Sequence, residues 1–252
     1  MSVKPDCGVP ARVHPSPNHN ERRDGAAVDM IILHYTGMQT ADEALQRLCD
    51  TRAEVSAHYF VHEDGRILQC VPEARRAWHA GKSFWKGETD INSRSIGIEI
   101  VNPGHEWGYR PFPEAQVEAV LHLCQDIMLR HQMKPWRVLA HSDVAPGRKE
   151  DPGELFPWNV LAAGGVAHHV DPVPVTSGRF FQEGESGQPI EALQSMLAIY
   201  GYDVPVQGEF DARTKAAVTA FQRHFRPERV DGIADASTIA TLHKLLTALP
   251  EL

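Results

Sequence analysis

A series of short apolar runs separated by helical patterns is what most limits the folds open to this chain. Val28-Asp-Met-Ile-Ile-Leu-His34 reads as a buried strand that ends in a polar tip. Thr40-Ala-Asp-Glu43 has the spacing of a capping box, and Leu45, Leu48 and Cys49 then mark one face of a short helix. Ala57 to Val61 and Arg66 to Val71 flank a Glu-Asp-Gly turn, the pattern of a hairpin. Ser95-Ile-Gly-Ile-Glu-Ile-Val-Asn102 is a further strand. Pro113 opens a helix whose apolar positions Val117, Val120, Leu121, Cys124, Ile127 and Met128 keep a 3.6-residue period. Arg137 to Ala140 closes the series as another strand. This order predicts an α/β domain over residues 1–165, with a mixed central sheet flanked by helices.

The pattern then breaks. Residues 166–182 hold paired histidines, Asp171-Pro-Val-Pro174 and Thr176-Ser-Gly178, which read as a solvated linker. Over residues 183–252 the chain turns to short helices, and Gln188 to Tyr200 carries Ile190, Leu193, Met196 and Leu197 on one face. An internal repeat follows. Val206, Gly208, Asp211, Ala212, Thr214 and Ala216 align with Val230, Gly232, Asp235, Ala236, Thr238 and Ala240. Each copy reads as a glycine turn, an aspartate N-cap and a helix, so the segment is expected to be a small all-α three-helix domain. It has no clustered catalytic side chains, which fits binding or targeting better than chemistry.

Composition narrows the function. A formal charge of −8, with no sustained Lys/Arg stripe, argues against a nucleic-acid partner. No apolar run approaches the ~20 residues of a membrane span. Cys7, Cys49, Cys70 and Cys124 form no CxxC pair, and the helical settings of Cys49 and Cys124 favour buried free thiols. The first residues show neither an apolar secretory core nor a lipoprotein cleavage pattern around Cys7, so the expected compartment is the cytoplasm. The alternative is the periplasm or cell envelope, reached by a non-Sec route.

The residues able to carry chemistry gather at strand ends, where α/β domains assemble their sites. His34 closes the first strand, His141 follows the last, and Asp151 lies ten residues further along a Pro/Gly loop. Two imidazoles and a carboxylate with one open position suit a catalytic zinc. Other readings stand beside this one among the 14 histidines. His58 and His62 share a face and could be ligands or the solvent side of the hairpin, while His34 could be a hydrogen-bonded histidine at a sheet rim. Glu99 sits mid-strand on the side shared with Gly97 and Val101, where a carboxylate is costly without a partner. That partner could be Arg94, or Glu99 could be functional. Gly97 leaves room there for a ligand or another backbone.

His34-Tyr-Thr, Ser56-Ala-His-Tyr-Phe-Val, Trp78-His-Ala-Gly, Ser95-Ile-Gly-Ile-Glu-Ile and His141-Ser-Asp-Val-Ala-Pro-Gly-Arg-Lys-Glu-Asp-Pro-Gly153 occur in one order. In that order they resemble the zinc N-acetylmuramoyl-L-alanine amidases of the AmpD/AmiD type, relatives of the peptidoglycan recognition proteins. The likeness covers roughly residues 25 to 160. The C-terminal segment, with Leu193-Gln and Ala217-Val-Thr-Ala-Phe-Gln222, resembles the three-helix peptidoglycan-binding domain. The resemblance implies zinc held by His34, His141 and Asp151, a general base/acid at Glu99 and a transition-state cation at Lys149. It also implies substrate contacts at Trp78, His79, Tyr35 and Asn102, and a peptidoglycan or muropeptide substrate cut at the amide between N-acetylmuramic acid and L-alanine. The competing expectation is a recognition protein that binds such fragments without cutting them.

Overall fold

In the computed structural model, which describes residues 4–23 and 25–250, six short strands form the main sheet. They are β1 (Ala11–Val13), β3 (Met30–Tyr35), β4 (Tyr59–Val61), β5 (Ile67–Gln69), β7 (Ser95–Ile100) and β8 (Val138–Ala140), in the order β1-β5-β4-β7-β3-β8. Only the expected hairpin, β4 with β5, is antiparallel; the other four pairings are parallel. A separate antiparallel ribbon joins β2 (His19–Glu21) to β6 (Arg75–Ala77). The helices of this part are α1 (Ala41–Cys49), α2 (Ile91–Arg94), α3 (Gly104–Trp107), α4 (Glu114–His131), α5 (His141–Val144) and α6 (Trp158–Ala163).

The two faces of the sheet have different fates because side chains alternate along each strand. Ile31, Leu33, Ile96, Ile98 and Ile100 pack in one cluster with Val117, Val120, Leu123, Cys124 and Ile127 of α4. Leu123 was not in the helical pattern read from sequence, and Leu121, which was, is only half-buried. Gln116 ties the helix to the sheet, its Nε2 donating to the carbonyls of Val61 and Val101. The opposite face carries His34, Phe60, Gly97 and Glu99. Beside it, α1 begins with the expected capping box between Thr40 and Glu43.

The C-terminal segment forms three helices, α7 (Gln188–Tyr200), α8 (Ala212–Phe225) and α9 (Ala236–Thr247). Its repeat has a physical basis beyond the aligned glycines and aspartates. Gln194 Oε1 accepts the backbone N–H groups of Gln207 and Gly208, and its Nε2 donates to the Glu209 carbonyl and Thr214 Oγ1. Gln222 repeats this with Asp231, Gly232, Ile233 and Thr238. Both glutamines are fully buried. Gly208 and Gly232 take φ of 73° and 74°, which a side chain would strain. Asp211 and Asp235 then cap α8 and α9 by accepting from Thr214 and Thr238.

The linker reading needs correcting. His168 and His169 are half-buried, not solvated, and His168 Nδ1 lies 3.1 Å from the Tyr200 hydroxyl. Burial draws the His168 imidazole down to about 4. One continuous apolar cluster also runs from Met30, Ile32 and Leu139 of the sheet through Trp85 to Leu193, Phe221, Phe225 and Leu245. Trp85 meets the rings of Tyr200 and Tyr202 edge-on, with centroids 5.8 and 5.1 Å away. Cys7, Cys70 and Cys124 are buried free thiols, whereas Cys49, expected to be buried, is partly exposed. No helix among the described residues is long and apolar enough to cross a membrane.

Replacing Gln222 with alanine strands the buried Gly232 N–H and leaves the part-buried Asp231 N–H and Ile233 carbonyl without their partner. It is expected to lower stability by about 2–4 kcal/mol, read as a shift in the denaturant midpoint at unchanged m-value.

Candidate metal centre

Strand register assembles the site. In the parallel pair β3–β7, His34 stands opposite Glu99, and in β3–β8 Leu33 stands opposite Ala140, so the next residue of each chain is His34 and His141. Glu99, His34 and His141 therefore come from three adjacent strands at one level of the sheet. Asp151 is returned to this row by a backbone bond, Ser142 N–H donating to the Asp151 carbonyl at 3.0 Å. The loop is less open than it looks in the sequence, since His141–Val144 coils into the helical turn α5 and is buried throughout.

Three ligand atoms converge. His34 Nδ1 and His141 Nδ1 are 2.9 Å apart, and Asp151 Oδ2 lies 3.0 and 2.9 Å from them. All three residues are buried. The far nitrogen of each imidazole is occupied. His34 Nε2 is 3.0 Å from His79 Nδ1, and His141 Nε2 is 3.1 Å from the Ala80 carbonyl. With Nε2 donating on the outer side, both Nδ1 lone pairs are left facing one point, the arrangement by which outer partners orient metal-binding histidines. The mutual spacing is a few tenths of an ångström tighter than the roughly 3.3 Å of a tetrahedral zinc site. The donor set thus fits a divalent ion with one side left for solvent or substrate. Burial and the neighbouring His141 bring the His34 imidazole down to about 4, a neutral ligand at physiological pH. Burial alone would raise the Asp151 carboxyl, but the two imidazoles outweigh it and hold the group well below the usual carboxylate range.

Glu99 is the unbalanced group. Its Oε2 is sealed from solvent and has no hydrogen-bond partner among the described residues. Arg94, the possible ion-pair partner, instead pairs with Asp29 and Glu88. Burial pushes the Glu99 carboxyl well above its ordinary range; Asp151 adds to the rise and Lys149 opposes it. Lys149 lines the same cleft and forms no salt bridge among the described residues. Its neighbour Arg148 is spent on structure, its guanidinium donating to the carbonyls of Ala80 and Lys82. Arg148 thereby steadies the carbonyl that orients His141.

The expected substrate contacts divide. Tyr35 and Trp78 line the cleft, Tyr35 with its hydroxyl 3.0 Å from His105 Nδ1. His79 also borders the cleft, but both its nitrogens are engaged, one with His34 and the other 3.1 Å from Ser95 Oγ, so it braces the His34 imidazole. Its ring fills the space above Gly97 that sequence left for a ligand, and a Cβ there would come within 2.4 Å of it. Asn102 is a correction. It is buried and stands outside the cleft lining, its Nδ2 donating to the Arg110 carbonyl and its Oδ1 accepting from Gly104 N–H, so it is not exposed to a substrate there. His58 is neither a ligand nor solvent-facing; it is buried, with Nδ1 accepting from Gly97 N–H, and burial draws it down to about 3. His105, unmarked in the sequence, joins the cleft wall from α3. Its Gly-His-Glu-Trp context gave no periodic signal.

The N-acetylmuramoyl-L-alanine amidase family model matches residues 24–154, and a peptidoglycan binding domain model matches residues 186–242. The chain is 40% identical to the N-acetylmuramoyl-L-alanine amidase AmiD of Escherichia coli, over 87% of this chain and 82% of that one. A solved structure of E. coli AmiD, in complex with the substrate anhydro-N-acetylmuramic acid-L-Ala-D-gamma-Glu-L-Lys, superposes with a TM-score of 0.73 at 37% identity, covering 90% and 92% of the two chains. AMPDH3 of Pseudomonas aeruginosa superposes with a TM-score of 0.74 at 29% identity, covering 94% and 96%.

Metal-free protein should report the Glu99 carboxyl directly. In the unfolded chain it ionises near ~4.3. The folded state holds its proton to higher pH, so stability falls as pH rises between those two values. Glu99→Gln removes that slope. Its stability relative to wild type should be near zero at pH 4 and increasingly favourable towards pH 8, measured by denaturant unfolding of chelated protein.

Proposed function

The chain belongs to the N-acetylmuramoyl-L-alanine amidase family, and on that footing we propose how its own residues cut the amide between N-acetylmuramic acid, or its 1,6-anhydro form, and the L-alanine of the stem peptide. His34 Nδ1, His141 Nδ1 and Asp151 Oδ2 would hold the ion, and their donor set suits zinc. The observation that carries this reading is the convergence of those three atoms beside a sealed Glu99 oxygen that has no partner among the described residues.

An unactivated amide resists hydrolysis because its carbonyl is resonance-stabilised and its amine leaves poorly. When bound, the zinc would supply Lewis-acid polarisation of that carbonyl and make a water acidic enough to attack near neutral pH. Glu99 takes the proton of the attacking water and returns it to the departing alanine nitrogen. Burial raises the proton affinity of this carboxyl and a bound cation beside it would lower it, so the group can both take up a proton and release it again. Lys149 sets its ammonium against the oxygen that gains charge. His79, Ser95 and the Ala80 carbonyl keep the two imidazoles in one tautomer and orientation. Tyr35, Trp78 and His105 form cleft walls against which sugar or peptide can lie. The C-terminal helices supply contact with peptidoglycan fragments, in keeping with the binding domain they match.

Mass spectrometry of products from anhydro-muropeptides and intact sacculi tests the whole reading. Release of free stem peptide beginning with L-alanine is expected, abolished by chelation and restored by zinc. Glu99→Gln and Lys149→Met should each lower turnover by about 10²–10³-fold while still binding zinc. Fragments bound but left intact would identify a recognition protein, and a product cut within the stem would identify a peptidase.

A further inference from the structure

Asp143 is a fully buried carboxylate two residues beyond His141, on the same helical turn. Its oxygens are well supplied with donors. Oδ2 accepts the Ala140 N–H at 2.9 Å and lies 2.6 Å from His224 Nδ1, while Oδ1 accepts the Tyr202 hydroxyl at 2.7 Å. Only the first of these belongs to the sheet domain. The other two come from the C-terminal helical unit. His224 is itself clamped, stacked on Trp158 and on Phe225 with both centroids 3.7 Å away. A second strap runs beside the first. Arg223 pairs with Glu150 at 2.6 Å, one residue before Asp151. A Cβ on Gly147 would stand 3.2 Å from Ala216. Ala216, Arg223 and His224 are spaced i, i+7 and i+8, so one face of α8 lies along the loop from His141 to Asp151.

A unit that served only to grip the wall would have no need to reach a buried carboxylate beside a metal ligand. A buried charge is costly unless fully hydrogen-bonded, so Asp143 can sit where it does only while Tyr202 and His224 are in place. We propose that the C-terminal helical unit is a structural part of the metal centre: Tyr202 and His224, through Asp143, hold the turn that presents His141, and Arg223, through Glu150, steadies Asp151. These are positioning residues, and their role rests on His141 and Asp151 being metal ligands.

Zinc affinity measured by competition with a chromophoric chelator, below the unfolding temperature, separates the possibilities. Tyr202→Phe and His224→Phe each keep a ring and lose one donor to Asp143. Each is expected to weaken zinc binding about tenfold, the scale seen when an outer partner of a metal ligand is removed. Amide hydrogen exchange over residues 141–151 should rise in both. Tyr200→Phe is the control, since its hydroxyl is directed to His168 and not to Asp143. It should leave zinc affinity and exchange in that loop unchanged. Folded Tyr202→Phe and His224→Phe proteins that bind zinc as wild type does would overturn the proposal and leave the metal site standing. Equal weakening in Tyr200→Phe would reduce it to general destabilisation and overturn it as well. Wild type that takes up no zinc would overturn the metal assignment itself, and this inference with it.

Discussion

A parallel register tolerates no slippage where one face of the strand carries chemistry. Moving β3 by one residue against β7 would turn His34 towards α4 and leave Leu33 or Tyr35 beside Glu99. Neighbouring strands lie about 4.8 Å apart, so three of them in register set Glu99, His34 and the residue after Ala140 in a row that no single segment could supply. The Ile-rich alternation of β3 and β7 enforces that register. Ile31, Leu33, Ile96, Ile98 and Ile100 must all meet α4, and only one alignment sends them there together. The apolar core on one face is thus the reason the polar groups on the other coincide. What remains is Asp151, and the single bond from Ser142 N–H closes that gap.

Features with a local cause could be read from sequence. The capping box at Thr40 and Glu43, the β4–β5 hairpin, the period of α4 and the twofold helical repeat each depend on residues within a few positions of one another. His34 and His141 were legible as strand-end residues, because apolar runs visibly stop there, whereas Glu99 read as a mid-strand carboxylate and its place level with His34 is a matter of register. What escaped was fixed by partners far along the chain. His79 reads as a cleft residue until its bonds to His34 and Ser95 are seen, and Gly97 reads as empty space until the His79 ring occupies it. Asn102 follows a strand and looks available, yet Gly104 and Arg110 take up its amide. His168 and His169 sit among linker residues, and nothing nearby in the sequence signals that Tyr200 packs over one of them.

Gln194 and Gln222 show a different kind of concealment. Each occupies a helical position that looks like ordinary polar surface, and each is the central tie of its repeat, joining a helix to the glycine turn and capped helix that follow. The aligned glycines and aspartates were the visible ends of this arrangement. The buried amide between them does the joining, and it accounts for why the two copies keep the same spacing from turn to cap.

The core running from Met30 through Trp85 to Phe221 also bears on how such proteins can be recombined. Grafting a foreign binding module after the linker would strip Trp85 of its aromatic neighbours and leave Asp143 short of two donors, however well the graft folded alone. A hybrid enzyme of this design has to carry its seam with it: the exchange point belongs after α8, past both Tyr202 and His224, and not in the stretch of chain that looks like a hinge.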